Sequence, residues 1–228
     1  SLLVAYLVWS RPLQFERKYL HQTHDGKLNL RGLAQANNFY LGASTDKQQD
    51  LVSAHFANTF NSTTAVNRMK MGNLLHLPKA DEPRDNIVYN FTETNQWINT
   101  ALQQGLRVRG HTLVWGRLSD DYESPNLQPW LNRFTTEQEK KTRIRKFLES
   151  HIEKVLHEYR GKVSQWDVVN EPLELHGKGA LDENIYTRYL GEDYIEFALR
   201  HAHKIDPTIK LFINEQFNNY RSGKVQAF

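Results

Sequence analysis

The segment Gln165–Glu171 is an apolar run that ends in an amide and a carboxylate. Val168 and Val169 are typical of a buried strand, yet Asn170 and Glu171 follow them directly. A strand end of this kind projects polar side chains into the mouth of a parallel barrel. A carboxylic acid there could protonate the leaving oxygen of a glycosidic bond, because burial raises the pKa of a carboxyl group. Glu171 is therefore the candidate general acid/base, although it could instead cap the next segment or pair with a lysine.

Polar and aromatic side chains also mark the ends of the other strand-like runs. Amides and lysine can hydrogen-bond hydroxyl groups, and an aromatic plane can stack on the C–H face of a sugar ring. These residue types on one rim predict a carbohydrate-binding site. Besides Glu171, the rim comprises Asn67, Lys70, His111, Trp115, Asn170, Asn214 and Glu215.

Two of these rim residues have ordinary structural interpretations. His111 lies inside an apolar run and could be a core histidine, although its neighbours favour substrate contact. For Glu215, hydrogen bonding to the loop backbone is favoured over a place in the pocket. Neither a metal nor another cofactor is predicted, because no His-x-x-x-His or carboxylate cluster with ligand spacing follows a strand.

The composition is that of a soluble globular protein, with 39% apolar and 24% charged residues among 228. The formal charge is +3, and no segment clusters Lys and Arg densely enough for a nucleic-acid surface. The nearest approach, at Arg143, Arg145 and Lys146, is typical of the solvated face of a helix. The chain has no cysteine, which excludes disulfides and thiolate chemistry.

The opening segment Ser1–Trp9 is apolar but too short to span a bilayer. It lacks a basic region and a cleavage site, so it is at best the remnant of a signal peptide, and no membrane partner is predicted. The triplets Asn61–Thr63 and Asn90–Thr92 match the N-glycosylation pattern, which often arises by chance.

Short apolar runs alternate with longer amphipathic stretches. The predicted strands are Phe39–Ser44, Phe60–Val66, Arg107–Trp115, Val163–Val169 and Lys210–Asn214. The predicted helices are Lys47–Asn58, Thr92–Gln104, Glu139–Tyr159 with a capping box from Thr136, and Glu192–Lys204.

This alternation predicts βαβ units and a parallel sheet. Long connections over 70–90 and 116–136 follow strand ends, where a (β/α) barrel builds its active site. A single glycine, Gly42, stands near the end of the first strand, which disfavours a dinucleotide-binding fold. The predicted fold is α/β, a (β/α)8 TIM-type barrel of which about five β/α units are present.

Five segments in order resemble motifs of the catalytic domain of glycoside hydrolase family 10, the retaining endo-β-1,4-xylanases, among them Gly191–Ile195, which is similar to a family helix start. Asn67–Lys70 is similar to the second-strand motif and Gly110–Trp115 to the third-strand motif. Trp166–Glu171 resembles the acid/base motif, and Leu211–Glu215 the fifth-strand motif. The resemblance divides the chain into an N-terminal segment 1–32, packed on the barrel or partly disordered, and a partial catalytic barrel over 33–228.

The resemblance implies a role for each matching residue. Glu171 would be the acid/base, and Asn170 would bind the 2-hydroxyl of the sugar at the cleavage point. It also implies xylan or xylo-oligosaccharides as partner, no cofactor, and a secreted protein. His111 and Trp115 would shape this cleavage subsite. Asn67 and Lys70 would hold the next sugar toward the non-reducing end.

The chain departs from the family pattern near that second sugar. Val66 stands where the family commonly has Glu, Met71 where it has Trp, and Gly116–Leu118 where it has His-Ser-Gln. Val66 and Leu118 would thus remove two polar partners of the second sugar. The loss of each hydrogen bond would weaken sugar binding by roughly 0.5 to 1.5 kcal/mol. A related β-glycanase with altered second-subsite specificity is therefore an alternative.

The family barrel has eight strands and carries its nucleophile glutamate after the seventh, in a Thr-Glu-Leu-Asp-like motif. Five strands and no such motif are found here before Phe228. A truncated fragment is favoured over a barrel completed by another chain or a natural sequence that lost hydrolysis. The open edges of a five-stranded barrel would favour self-association.

The predicted function is therefore that of a retaining endo-β-1,4-xylanase-type hydrolase with Glu171 as acid/base and its nucleophile missing from this chain. A non-catalytic barrel fragment that binds carbohydrate through the same rim is the alternative from another class. A further alternative has Glu215 as second carboxylate, which would require about 5 to 5.5 Å between the two carboxyl groups.

Overall fold

The computed structural model describes residues 29–116, 125–174 and 179–216. The helices in these ranges are α1 (Leu30–Ala36), α2 (Gln48–Leu51), α3 (Ala54–Thr59), α4 (Met71–Leu74), α5 (Thr92–Gln103), α6 (Leu127–Leu131), α7 (Glu137–Glu158), α8 (Ile185–Leu190) and α9 (Tyr194–Ile205). The strands are β1 (Gly42–Ser44), β2 (Ser62–Thr64), β3 (Leu75–His76), β4 (Val88–Tyr89), β5 (Arg107–Trp115), β6 (Val163–Asn170) and β7 (Lys210–Asn214).

Five parallel strands form the main sheet in the order β1, β2, β5, β6, β7. Among these five, each strand lies beside the next one along the chain, and the order never reverses. A doubly wound dinucleotide-binding sheet reverses its order, whereas a (β/α)8 barrel does not. The predicted α/β class with five β/α units of barrel type is confirmed. Strands β3 and β4 form a separate antiparallel ribbon.

The first two strands of the sheet are shorter than the sequence predicts. Three residues form β1 within the predicted Phe39–Ser44, and three form β2 within Phe60–Val66. Ahead of both, the side chain of Asn61 donates to the carbonyl of Phe39 and accepts from the amide of Leu41, each at 2.8 Å. Because a side-chain amide satisfies these backbone groups, the regular ladder begins only after them.

The single helix predicted over Lys47–Asn58 is wrong, because the chain forms α2 and α3 instead. The break falls at Ser53, whose hydroxyl accepts from the amide of Phe56 at 3.2 Å and caps α3. A serine at this position satisfies an amide that has no partner within the helix. The local cap thus overrides a continuous amphipathic pattern.

The three long helices α5, α7 and α9 are confirmed, with ends that differ by up to two residues from those predicted. The hydroxyl of Thr136 accepts from the amide of Glu139 at 3.1 Å and so caps α7. The carboxylate of Glu139 accepts from the amide of Thr135 at 3.3 Å, not from that of Thr136. The predicted capping box is therefore only half formed.

The buried faces of the helices follow the predicted periodicity. For α5, the spacing of apolar residues predicts an inward face of Trp97, Ile98 and Leu102. Trp97 and Ile98 lie in the core, whereas Leu102 is exposed. The buried residues of α7 are Ile144, Phe147, Leu148, His151, Ile152, Val155 and Leu156.

The cations of the basic segment contact other parts of the chain. Arg143 pairs with Asp85 at 2.5 Å, and its guanidinium lies 4.8 Å from the ring centroid of Phe134. The guanidinium of Arg145 lies 4.2 Å from the ring centroid of Phe197. The segment lies on a helix as predicted, but these two arginines contact other parts of the chain instead of forming only a solvated face.

Gly110 on β5 lies against the indole of Trp166, its register partner on β6. A Cβ atom on Gly110 would lie 2.2 Å from two carbons of that indole. Trp166 is only 1% exposed, so the ring has no space into which it could move. Close packing between the two strands thus requires glycine at this position.

We expect Gly110→Ala to lower the free energy of unfolding by about 3 kcal/mol or more, because overpacking a buried site forces neighbouring groups apart. Urea denaturation measures the loss. Gly161→Ala is the matched control: its Cβ would have no atom within 4 Å, and its φ of +75° makes only the backbone strained. That control should cost about 1 kcal/mol. Equal losses in both variants would contradict the steric explanation.

None of the helices in the described ranges is long and apolar enough to cross a membrane. The predicted N-terminal segment 1–32 falls almost entirely outside the described residues. Helix α1 runs across the predicted boundary between residues 32 and 33. The division of the chain at that point stays a prediction.

Candidate active site

Three predicted rim residues lie in one row across the carboxyl ends of neighbouring strands. The register pairs Trp115 of β5 with Asn170 of β6, and Asn170 with Asn214 of β7. The side-chain nitrogen of Asn214 donates to Oδ1 of Asn170 at 2.7 Å. Because Asn170 is 2% exposed and its oxygen is engaged, its amide has one fixed orientation.

Glu171 follows this row at the very end of β6. Its backbone amide donates to the carbonyl of Asn214 at 2.7 Å, which extends the β6–β7 pairing by one residue. Its φ is 48°, in the left-handed region, which costs a non-glycine residue about 1–2 kcal/mol. Pro172 follows, and a proline ring favours an extended conformation in the residue before it. Strain of this kind is concentrated at functional sites, which supports Glu171 as a site residue.

Lys70 joins Asn67 to Trp115. Its ammonium donates to Oδ1 of Asn67 at 2.8 Å and lies 4.5 Å from the centroid of the Trp115 ring. Lys70 and Trp115 are 5% and 8% exposed, so both are almost enclosed. Because the ammonium covers one face of the indole, Trp115 can offer a sugar no stacking on that face.

Asp46 holds the backbone of this cluster. Its two carboxylate oxygens accept from the amide of Asn67 at 3.0 and 3.1 Å, and its carbonyl accepts from Nε of Arg68 at 2.7 Å. Nothing in the local sequence marks Asp46, because it stands in a polar turn after β1. Beside Asn67, Val66 is 41% exposed and places an apolar side chain on the rim.

His111 belongs to a buried charged network with Arg109 and Asp167. Nδ1 of His111 lies 3.0 Å from Oδ2 of Asp167, which also accepts from Nε of Arg109 at 3.2 Å. Nη2 of Arg109 donates to the other carboxylate oxygen. Asp167 is 1% exposed, and the peptide bond between His111 and Thr112 is cis.

This network orients the ring of His111. Nδ1 lies against Asp167, so Nε2 is the ring nitrogen on the side away from that carboxylate. Arg109 and Asp167 are not among the site residues predicted from the sequence. Their signal was the presence of opposite charges inside two apolar strands, since a buried charge requires a partner.

Glu215 accepts backbone amides with both carboxylate oxygens. Oε2 accepts from the amide of Leu173 at 2.9 Å, and Oε1 accepts from that of Gln216 at 2.7 Å. These contacts match the loop-anchoring interpretation of Glu215, and its proposed place in the pocket stays a prediction. Within the described ranges, no group of three His, Asp or Glu side chains could hold a metal ion.

Arg133 links the two long connections over 70–90 and 116–136, which follow strands of the main sheet. Its guanidinium donates to the carbonyls of Lys79 at 2.9 Å and Glu82 at 2.5 Å. In return, Nη1 of Arg84 donates to the carbonyl of Arg133 at 2.9 Å, and the indole of Trp130 donates to that of Arg84 at 2.8 Å. The loop over 77–87 is thus fixed to the segment that begins with α6. Residues 117–124, including the departures Arg117 and Leu118, lie outside the described residues.

His151 of α7 lies beneath the β3–β4 ribbon. Its Nδ1 is 3.1 Å from the hydroxyl of Tyr89, and the two rings stack with centroids 5.8 Å apart. Phe147 stacks on His151 at 6.3 Å. Burial lowers the pKa of His151 to about 3, so this contact is made by a neutral ring at ordinary pH.

Residues 29–228 match the family model described as Glycosyl hydrolase family 10. Endo-1,4-beta-xylanase A of Thermotoga neapolitana is 33% identical over 178 residues, which are 76% of this chain and 15% of the relative. Endo-1,4-beta-xylanase B of the same organism is 33% identical over 202 residues, or 88% of this chain and 50% of the relative. The chain thus spans no more than half the length of these two relatives.

A solved structure with a similar fold is xylanase 10B from Thermotoga petrophila RKU-1 in complex with xylobiose. The TM-score is 0.68 at 27% identity, and the match covers 90% of this chain and 58% of that one. Residues 29–228, matched by the family model, include every described strand and all the predicted rim residues. This chain belongs to glycosyl hydrolase family 10.

Proposed function

We propose that this chain supplies the acid/base half of a retaining endo-β-1,4-xylanase site, with Glu171 as the acid/base. The observation that carries the proposal is the placement of Glu171. It follows β6 directly, in a strained conformation, next to the row of Trp115, Asn170 and Asn214. The general acid of such a carboxylate pair is the group that carries a proton near neutral pH.

In the proposed reaction, Glu171 donates its proton to the glycosidic oxygen while a second carboxylate attacks the anomeric carbon. Glu171 then removes a proton from water, which releases the sugar from the covalent intermediate. The Thr-Glu-Leu-Asp-like motif of the nucleophile does not occur in the 228 residues. We therefore expect the 228-residue chain alone to bind xylo-oligosaccharides with little or no hydrolysis.

The rim residues then divide into two subsites. Asn170 donates from its Nδ2 group to the 2-hydroxyl oxygen at the cleavage point, since its oxygen is engaged by Asn214. His111 and Trp115 form the wall of this subsite. Lys70 and Asn67 bind the next sugar, with the ammonium of Lys70 as the charged donor.

The exposed Val66 favours a variation of this function. An apolar side chain on the rim cannot accept a hydrogen bond from a sugar hydroxyl, so the second subsite would select its sugar differently. A related β-glycanase with altered second-subsite specificity is therefore the second candidate. Secretion, and self-association through β1 and β7 at the two ends of the described sheet, remain proposals.

Calorimetric titration tests the role of Glu171. One ligand is xylobiose, and the other is a xylobiose derivative with a basic nitrogen in place of the glycosidic oxygen. We expect Glu171→Gln to lower the affinity for the basic ligand by roughly 10- to 150-fold, as for the loss of a hydrogen bond to a charged group. The affinity for xylobiose should stay unchanged.

Glu149→Gln, on the surface of α7, is the control and should change neither affinity. Equal affinity of the basic ligand for the parent chain and Glu171→Gln would favour a purely carbohydrate-binding function. Xylan turnover by the pure 228-residue chain, abolished in Glu171→Ala, would contradict the expectation that this chain does not hydrolyse xylan.

A further inference from the structure

Two of the proposed sugar-binding residues, Asn67 and Lys70, lie on a connection without regular secondary structure. Strand β2 ends at Thr64, and α4 begins at Met71. The backbone N–H and C=O groups between them have no partner in a sheet ladder, and leaving such groups unpaired in a packed region is costly. The positions of Asn67 and Lys70 therefore depend on the groups that bond to this backbone.

Side chains from three other segments bond to the backbone of Asn67 and Arg68. Oδ1 of Asp46 accepts from both amides, at 3.0 Å from Asn67 and 3.3 Å from Arg68. The carbonyl of Asn67 accepts from Nδ2 of Asn73 at 2.8 Å. The carbonyl of Arg68 accepts from the hydroxyl of Thr94 at 2.8 Å. All four backbone polar groups of the two residues are thus engaged, which fixes the orientation of their peptide groups.

The register of the sheet brings Asp46 to this place. Ser44 pairs with Thr64 at the end of the parallel β1–β2 ladder, and the amide of Thr45 donates to the carbonyl of Thr64 at 3.1 Å. Asp46 follows directly and so lies beside the residues that come after β2. In return, Nε of Arg68 donates to the carbonyl of Asp46 at 2.7 Å. Asp46 therefore links the end of β1 to the sugar-binding connection.

The fixed backbone of Asn67 determines where the ammonium of Lys70 lies. The carbonyl of Asn67 accepts from the amide of Lys70 at 2.9 Å, and its side-chain oxygen accepts from the ammonium at 2.8 Å. The same ammonium is 4.5 Å from the ring centroid of Trp115. A rotation of the Asn67 peptide would therefore move both sugar-binding side chains relative to Trp115.

We propose that Asp46 is a positioning residue for the second sugar. Its carboxylate acts through the amides of Asn67 and Arg68 and holds Asn67 and Lys70 in the orientation that binds the sugar. The proposal rests on the proposed function of these two residues. The role requires an acceptor and not a charge, because one oxygen of Asp46 serves both amides. Asparagine has that oxygen and should replace Asp46, whereas alanine should not.

Calorimetry of the 228-residue chain with xylobiose tests the proposal. We expect Asp46→Ala to lower the affinity by roughly 3- to 30-fold, as for the loss of one or two hydrogen bonds to the sugar. Asp46→Asn should stay within about threefold of the parent chain, because its oxygen can still accept from the amides. Glu93→Ala is the matched control. It removes the other carboxylate in contact with Arg68, which bonds to the guanidinium, and should leave the affinity unchanged.

A double-mutant cycle with Lys70→Met separates positioning from general stability. Effects of residues that act through one another do not add, whereas independent effects do. Asp46→Ala should therefore lower the affinity of Lys70→Met by a clearly smaller factor than it lowers that of the parent chain. If the two losses multiplied in the double variant, Asp46 would act independently of Lys70, and the proposal would be overturned.

The remaining outcomes distinguish this role from the proposed function. If the parent chain does not bind xylobiose, the proposed function fails, and the role of Asp46 fails with it. If the parent chain binds but Asp46→Ala binds equally well, or Asp46→Asn loses as much as Asp46→Ala, only the role of Asp46 is overturned.

Hydrogen exchange of the parent chain adds a measurement that needs no variant to fold. The amides of Asn67 and Arg68 should exchange slowly without ligand, because both are bonded to Asp46. Exchange as fast as in an unfolded chain would contradict the contacts on which the proposal depends.

Discussion

Replacing Asp167 by asparagine is expected to lower the free energy of unfolding by about 3–5 kcal/mol, the usual cost of removing one partner of a buried ion pair. Asp167 is 1% exposed and accepts hydrogen bonds from Arg109 and His111. The neutral amide would remove the negative charge that Asp167 places against the buried guanidinium of Arg109. Urea denaturation at neutral pH measures the loss.

Asp85→Asn is the matched control for this substitution. Asp85 also pairs with an arginine, Arg143, but 72% of its side chain is exposed. An exposed pair contributes at most about 1 kcal/mol, so this variant should unfold at nearly the urea concentration of the parent chain. If both variants lost the same stability, the Asp167 network would have no special role in the fold. Loss of the Asp167 contact should also shift the NMR signals of the His111 ring.

The second large effect is a loss of stability on acidification that depends on His151. Burial lowers the pKa of His151 to about 3 from its ordinary value of 6.5. Between these two values, the unfolded chain binds a proton that the folded chain does not. The contribution of the neutral His151 ring to the free energy of unfolding is therefore fully present above pH 6.5 and is lost as the pH falls toward 3. At 1.36 kcal/mol per pH unit, the total loss cannot exceed about 5 kcal/mol.

Unfolding free energies of the parent chain and His151→Gln between pH 7 and 4.5 test this expectation. Glutamine can still hydrogen-bond to the hydroxyl of Tyr89 but does not titrate, so the variant should lose less stability on acidification. The difference between the two curves should grow by roughly 2–3 kcal/mol over this range. His203→Gln, at an exposed position near the end of α9, should follow the parent curve. Parallel curves for the parent chain and His151→Gln would show that His151 is not kept neutral by the fold.

The order of the sheet and the long helices could be predicted because each rests on a repeated pattern. Helix α7 has apolar residues at three- and four-residue spacing over its whole length, and such a signal survives a few exceptions. The rim could be predicted because parallel strands deliver their last residues to one edge. That rule correctly placed Trp115, Asn170 and Asn214 in a row.

The remaining elements are too short to carry a pattern. Helices α4 and α6 and the β3–β4 ribbon have two to five residues per element, less than two helical turns. Their positions depend on hydrogen bonds between distant parts of the chain, such as those from Arg133 to the carbonyls of Lys79 and Glu82. The contact of Asp167 with Arg109 and His111 likewise depends on the register between β5 and β6, which no single segment encodes. The division of Lys47–Asn58 was missed because one serine cap outweighed the apolar spacing.

The two hydrogen bonds of Asn61 have a consequence for how the protein can be made. Asn61–Thr63 is an acceptor triplet for N-linked glycans, and the glycan would be attached to the nitrogen that donates to Phe39. Asn61 is 6% exposed, so the folded chain has no space for a glycan at this position. Glycosylation of Asn61 and formation of β1 are therefore mutually exclusive. In a host that attaches such glycans during synthesis, a chain modified at Asn61 could not complete its fold. A host without N-glycosylation should therefore give a higher yield of folded protein.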